Sequence, residues 1–318
     1  MEERALGLSP ESLAAMHAAA SLYYEEELSQ QEVAERLDVS RSTVSRLLQL
    51  ARGQGIVRIE VLPPSPVAEL AIELAEALDL RRAAVVPALA SGEGLQALVA
   101  PTLAELEALA LRPGDVLAVS WGRTVWEVAQ AQRFPDLRGV RVVPAVGGMD
   151  ELDVRFQSNE IARRVAGVSG AEVSFLHVPA FASPELRASL LSDSDITARL
   201  ALWDRLDAAL VGIGMPPGEL GTAPVHITAE RDALTGAVGD VASRHFDLAG
   251  DPVEMPREDR LLGVSRAQLH AAGTVIGVAA GAPKVQSIVG AARGRLIDVL
   301  VTDARTASAV LELVKAGT

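Results

Sequence analysis

YYEEELSQQEVAERLDVSRSTVSRLLQLARGQGIVRIEV, residues 23–61, reads as two short helices, a tight turn between them and a closing strand. Ser29 followed three residues later by Glu32 is a capping box, and the helix it opens turns Val33 and Leu37 inward. Asp38-Val39 is the turn. Ser40 then caps a third helix in which Val44, Leu47, Leu48 and Ala51 recur at helical spacing and face a core. Upstream, Ser9-Pro10-Glu11 starts a first helix with Leu13, Met16, Ala20 and Tyr23 in register, ending near Glu27. Downstream, Gly53 and Gly55 stop the third helix, and residues 56–61 alternate as a strand with Arg58 outward, a candidate wing.

The outward face of the third helix carries Arg41, Ser42, Ser45, Arg46, Gln49 and Arg52. Guanidinium groups bind guanine edges or phosphates, and hydroxyls near a helix N-terminus hold a phosphate backbone in register, so this face suits the major groove of duplex DNA. Between Arg36 and Arg58 five arginines (36, 41, 46, 52, 58) face one acid, Asp38. The alternative is a three-helix packing unit with solvated arginines. The coincidence of a short second helix, tight turn, hydroxyl-rich third helix and basic bias favours DNA, with Gln30, Ser40, Arg41, Ser42, Thr43, Ser45, Arg46 and Arg52 as the contact set.

Around this basic island the chain is acidic. It has 318 residues, 49% hydrophobic and 22% charged, with a net charge of −13. At roughly 100–200 residues per domain the length implies two domains. The net charge argues against a polyelectrolyte that coats nucleic acid along its whole surface. No run approaches the roughly 18–20 apolar residues of a membrane span, and the start Met1-Glu2-Glu3-Arg4 lacks the basic region of a signal peptide. A cytoplasmic protein without a membrane partner is expected. The absence of cysteine excludes disulfides and thiolate chemistry, and the five histidines contain no HExxH pair, so no metal is expected. Only Lys284 and Lys315 are lysines among the 29 basic residues.

Pro63, Pro64 and Pro66 mark a boundary after a first domain of residues 1–62. Residues 67–80 put Leu70, Leu74, Ala77 and Leu78 on one helical face, so 63–82 reads as a linker helix or a dimer contact. From 83 to 318, apolar runs such as 116–119, 140–146, 208–213, 274–279 and 297–301 alternate with helical stretches, the pattern of a buried parallel sheet with crossover helices. Ligands of such sheets bind beyond the carboxyl ends of the strands. Those ends run into Gly122-Arg123-Thr124, Gly147-Gly148-Met149-Asp150, Gly214-Met215, Gly239-Asp240, Gly281-Ala282-Pro283-Lys284 and Thr302-Asp303. Such loops let backbone N–H groups approach an anionic or polyhydroxylated ligand. Individually, each glycine is equally a tight turn. Lys284 reads as a ligand-binding point charge or a surface lysine, Asp240 as a ligand for hydroxyls or the cap of a helix opening at Val241, and Arg123 as an anion clamp or a solvated side chain. The third glycine of GxGxxG is missing after Gly212-Ile213-Gly214, and no GxxxxGK[ST] occurs, so no nucleotide cofactor is expected.

Residues 17–61 closely resemble the N-terminal domain of the SorC family of bacterial transcriptional regulators. Further along, SWGRT (120–124), PAVGG (144–148), SNEIARRVA (158–166), GIG (212–214), GAVGDVASRHFD (236–247), AAGAPK (279–284) and IDVLVTD (297–303) resemble the family's effector domain. The resemblance implies a helix-turn-helix at 30–37 and 41–52 that binds operator DNA. It also implies an α/β effector domain similar in fold to phosphosugar isomerases, and tetramers built from dimers. Ligand roles are implied for Gly122, Thr124, Gly147, Gly148, Asn159, Asp240, Phe246 and Lys284, to which the strand-end reading adds Arg123 and Gly214. The carboxylates in Met149-Asp150-Glu151 repel phosphate, so sugar, polyol and sugar phosphate all stay open as effectors. The expected function is a DNA-binding regulator, not an enzyme, whose operator binding responds to that effector. The alternatives are a sugar-phosphate isomerase-like enzyme with Asp240 or His177 as base, and a constitutive DNA binder.

Overall fold

The computed structural model describes residues 10–26, 28–57, 66–88, 95–149, 153–215 and 234–317, in two compact units, Met1–Pro63 and Pro64–Thr318. In the first unit α1 (Pro10–Tyr24), α2 (Gln30–Arg36) and α3 (Arg41–Gly53) enclose a core of Met16, Ala19, Val33, Val44, Leu48 and Ala51. Both sides of the Ser29/Glu32 capping box form, and Ser40 accepts the Thr43 N–H at 3.1 Å to start α3. Asp38, at φ 52°, takes the left-handed conformation that turns α2 into α3. The wing expected at 56–61 falls largely outside the described residues, which stop at Val57.

In the second unit seven parallel strands lie in the order β1-β9-β8-β5-β2-β3-β4. They are β1 (Arg82–Val86), β2 (Val116–Val119), β3 (Arg141–Pro144), β4 (Glu172–Val173), β5 (Ala208–Gly212), β8 (Thr274–Val278) and β9 (Val299–Asp303). Their apolar runs split by alternation between two cores. Val116, Ala118, Ala209 and Val275 join one, with Leu74 of α4 (Pro66–Ala77), Ile288 of α11 (Val285–Arg293) and Val310 of α12 (Ala304–Ala316). Leu117, Val119, Leu210 and Ile276 join the other, with Leu106 of α5 (Val99–Ala108), Val125 of α6 (Arg123–Ala129) and Ile161 of α7 (Ser158–Ser169). From β2 the chain proceeds outward through β3 and β4, then returns to the other side of β2 as β5. The sheet order therefore reverses between β2 and β5, and at such a point crossovers diverge and leave a crevice.

The segment 63–82, expected as a linker helix or a dimer contact, carries α4, whose Leu74 is wholly buried against the sheet core, and its Arg82 pairs with Val299 in β1. One expectation is corrected: Gly239-Asp240 does not end a strand of the large sheet. It lies in β6 (Gly239–Val241), which pairs antiparallel with β7 (Arg244–Phe246) in a separate hairpin. Ala242 and Ser243 both have positive φ (50° and 65°), as a type I′ hairpin turn requires, so no helix opens at Val241.

The hairpin is clamped to α11 by close packing at Gly290. A Cβ there would lie 2.6 Å from the Asp247 carbonyl oxygen and 2.8 Å from the Phe246 ring. Gly290→Ala gains about 1 kcal/mol of helix propensity, but must displace backbone and a buried ring, which costs about 1–3 kcal/mol. It is expected to lower the melting temperature by up to about 6 °C; a raised melting temperature by calorimetry refutes the clamp.

Candidate functional site

On α3, Arg41, Ser42, Ser45, Arg46, Gln49 and Arg52 are all exposed, while Val44, Leu48 and Ala51 are buried, so the outward face is where the spacing puts it. Among the described residues Arg41, Arg46 and Arg52 make no ion pair, whereas Arg36 reaches Glu26 at 3.9 Å. The Ser40 hydroxyl lies 2.8 Å from both the Ser42 and Thr43 hydroxyls, a polar cluster at the first turn of α3. Thr43 is exposed and Gln30 is half-buried at the start of α2. A convex, unneutralised, arginine-bearing helix next to hydroxyls has the chemistry of a DNA-reading surface.

The second candidate site is the crevice at the β2/β5 reversal. Ser120, just past β2, accepts the Gly212 N–H through its hydroxyl at 3.1 Å and fastens the two strand ends together. The hairpin attaches here: Ile213 bridges Val241, and the Gly214 N–H donates to the Asp240 carbonyl at 2.7 Å. The approach is so close that a Cβ on Gly214 would fall 1.7 Å from Asp240 Oδ1. Asp240 Oδ2 accepts the Ser243 N–H at 3.0 Å. Trp121 Nε1 donates to the Ser243 hydroxyl at 3.3 Å, tying the turn to the end of β2. Lys284, in the turn before α11, donates its ammonium to the Ile213 carbonyl. Burial pushes the Lys284 pKa down to about 8, against the opposing pull of the Asp240 carboxylate.

Gly214, Asp240 and Lys284, far apart in sequence, are thus brought together. The other expected residues are placed differently. Gly122 (φ 110°) opens α6 and donates its N–H to the Phe156 carbonyl at 3.0 Å. Thr124 is half-buried in the first turn of α6, and exposed Arg123 lies with its guanidinium carbon 5.8 Å from the Phe156 ring centre. The Gly147 and Gly148 N–H groups donate to the carbonyls of Leu262 (2.9 Å) and Val178 (2.7 Å), and a Cβ on Gly147 would fall 2.7 Å from the Val178 carbonyl oxygen, so Gly147 serves close contact between chain segments, whereas a Cβ on Gly148 would meet only ordinary contact. Asn159 spans the Leu176 backbone, donating to its carbonyl at 2.8 Å and accepting its N–H at 2.9 Å. Phe246 is wholly buried against Gly290 and anchors the hairpin. Asp303 caps α12 and reaches Thr306, whose hydroxyl accepts the Gly281 N–H at 2.7 Å and so steadies the Lys284 loop. Asp150 and Glu151 lie outside the described residues.

Sequence reasoning passed over Trp121, Ser243 and His245, although the first lies in SWGRT and the other two in GAVGDVASRHFD. Trp121 packs with Val146, Met149, Phe181 and Leu261, supplying an aromatic surface beside the polar trio. His177, the alternative base, is exposed and stacked on Phe175 at 5.5 Å. No described helix is long and apolar enough to cross a membrane, and among the described residues no cluster of His, Asp and Glu is disposed to hold a metal.

Comparison with known proteins matches each of the two units. Residues 63–312 match the family model "Putative sugar-binding domain", and residues 21–54 match "Sigma-70, region 4". The chain is 33% identical over 304 residues to the Sorbitol operon regulator of Klebsiella pneumoniae, covering 92% of this chain and 96% of that one. It is also 33% identical over 303 residues to the Deoxyribonucleoside regulator of Bacillus subtilis, with the same shares covered. The crystal structure of full-length SorC from Klebsiella pneumoniae superposes with a TM-score of 0.72 at 32% identity, covering 95% of this chain and 99% of that one. A basic helix-turn-helix joined to a parallel-sheet sugar-binding domain, matched over nearly its whole length, places this chain in the SorC family of DNA-binding transcriptional regulators.

Proposed function

We propose that the protein binds operator DNA through α3 and a sugar-type effector in the β2/β5 crevice, the effector altering operator affinity. The observation that carries the effector half is the convergence of Asp240, Lys284 and Gly214 at the point where the sheet order reverses. A carboxylate accepts from ligand hydroxyls, an ammonium donates to hydroxyl or phosphate oxygens, and Trp121 offers an apolar face for the C–H side of a sugar ring. The names of the relatives, a sorbitol operon regulator and a deoxyribonucleoside regulator, support a polyhydroxylated ligand. As a homo-oligomer of closed symmetry the protein would read a two-fold operator. By linkage, effector and operator each change the other's affinity by the same factor. Prolonged incubation with sugar phosphates is expected to yield no product, which separates this reading from the isomerase alternative.

The test is retardation of the DNA upstream of the protein's own gene, with and without sugars, polyols and sugar phosphates. Retardation that one such ligand strengthens or weakens supports the reading, and no retardation under any condition refutes it. Within that assay, Arg46→Ala is expected to weaken operator binding by about 1–3 kcal/mol, some 5- to 150-fold, with thermal stability and effector binding unchanged. Equal affinity at moderate salt would remove α3 as the reading helix.

Lys284 gives a pH signature. It is charged below about 8 in the free protein and neutral above. A ligand held by the ammonium should bind with constant affinity from pH 6.5 to 7.5, then more weakly as pH rises past 8, by up to about tenfold per unit. Lys284→Met is expected to bind weakly and without that alkaline fall. Wild-type affinity that stays flat to pH 9.5 excludes the ammonium from the site.

A further inference from the structure

His245 is 3% exposed, and its ring Nδ1 is buried with no hydrogen-bond partner. Buried polar groups are nearly always paired, and an unpaired one lowers the stability of the empty protein. Its position gives the orphan a meaning. His245 stands directly opposite Asp240 in the β6–β7 hairpin. The Asp240 carbonyl accepts from Gly214 and the His245 carbonyl from Val253, so both point away from the hairpin ladder and mark the pair as non-hydrogen-bonded. Side chains of such a pair share one face, with Cα atoms about 4.5 Å apart. The opposite face, carrying Gly239 and Phe246, is packed on Ser287 and Gly290 of α11. His245 therefore stands beside Asp240 on the crevice side. There the Lys284 ammonium already bonds Ile213 and the Asp240 carboxylate already accepts from Ser243, while the His245 Nδ1 has no such engagement.

We infer that His245 is a specificity-determining residue of the effector crevice, its Nδ1 held for one hydroxyl of a polyhydroxylated ligand. A neutral imidazole nitrogen donates or accepts according to tautomer, and a hydroxyl does both, so the pair forms in either sense. A site built to bond a hydroxyl rejects the analogue that lacks it far more strongly than an apolar pocket rejects an extra group. The inference rests on the crevice reading above and adds to it an atom that discriminates among sugars.

The test uses the full-length protein and calorimetric titration with D-sorbitol, D-sorbitol 6-phosphate, D-fructose 6-phosphate and 2-deoxy-D-ribose 5-phosphate. Three variants divide the outcomes. His245→Phe and His245→Leu remove the nitrogen, the second keeping the test valid if the larger ring fails to fold. His245→Asn puts an amide near the Nδ1 position. The apolar variants are expected to lose at least about tenfold in affinity for the ligand the wild type prefers, with preference within the panel flattened, and the empty His245→Leu or His245→Phe protein to melt no lower than the wild type. His245→Asn is expected to stay within about threefold of the wild type. If the wild type binds no panel member, the crevice reading falls and this inference with it. If it binds and the apolar variants match it in affinity and preference, or His245→Asn binds as weakly as they do, only the role of Nδ1 falls. A melting temperature several degrees lower in both apolar variants makes His245 a packing residue and overturns the proposal.

Discussion

The junction of the β6–β7 hairpin with the end of β5 is the contact on which the crevice proposed for the effector depends. Gly214 donates to the Asp240 carbonyl, Ile213 bridges Val241, and no side chain larger than hydrogen fits between Gly214 and the Asp240 carboxylate. The turn holding this junction uses Ala242 and Ser243 in the left-handed region, where non-glycine residues cost roughly 1–3 kcal/mol each. Such strain persists only where surroundings over-determine it. Here the Ser243 N–H is taken by Asp240, its hydroxyl by Trp121, and Phe246 is fixed by α11. The hairpin is thus held from outside by Trp121, by α11 and by the end of β5, and Asp240 is presented at the sheet reversal without belonging to the sheet.

At the other end of the chain the governing constraint is charge. A protein with net charge −13 repels DNA at long range, so binding has to come from a local surface. The first unit supplies that surface by placing apolar residues of α3 inward and leaving Arg41, Arg46 and Arg52 outside. Attraction confined to a few arginines would keep non-specific affinity modest and salt-sensitive, and would leave discrimination to direct contacts with base edges.

How much of this was legible follows from the range of the interactions. Capping boxes and helical spacing are local, so α2 and α3 were readable to within a residue or two. The apolar runs of β2, β3, β5, β8 and β9 were equally plain, being buried on both faces. The edge strands give little signal, β1 because it is only half-covered and β4 because it has two residues. The hairpin was misread because Ala237 to Asp240 has the composition of a strand end, and its true partner is set by a turn formed without glycine. In the crevice Asp240, Lys284 and Gly214 could be named from their loops, yet Gly147, Gly148, Asn159 and Phe246 stand in similar blocks and are engaged with the protein itself. A glycine needed for packing and a glycine needed for a ligand look alike in one sequence. Geometry shows which of them meet other chain segments, and it also places Trp121 and His245 beside the Asp240 hairpin turn.

That distinction bears on how a ligand can act as a signal. The Lys284 ammonium bonds Ile213 and the Asp240 carboxylate bonds Ser243, so a ligand that engaged either group would exchange hydrogen bonds instead of simply adding them. Each exchange is worth only about 0.5–1.5 kcal/mol net, but couplings between sites typically amount to about 1–3 kcal/mol, so one or two exchanges suffice. Both bonds that must be exchanged belong to the junction that seats the hairpin: one ends on Ile213, the other closes the strained turn. A ligand that draws on them changes the stability of the hairpin's attachment as well as filling the crevice. Binding energy is thereby available to favour one arrangement of this domain over another, which a ligand with equal affinity for both cannot do.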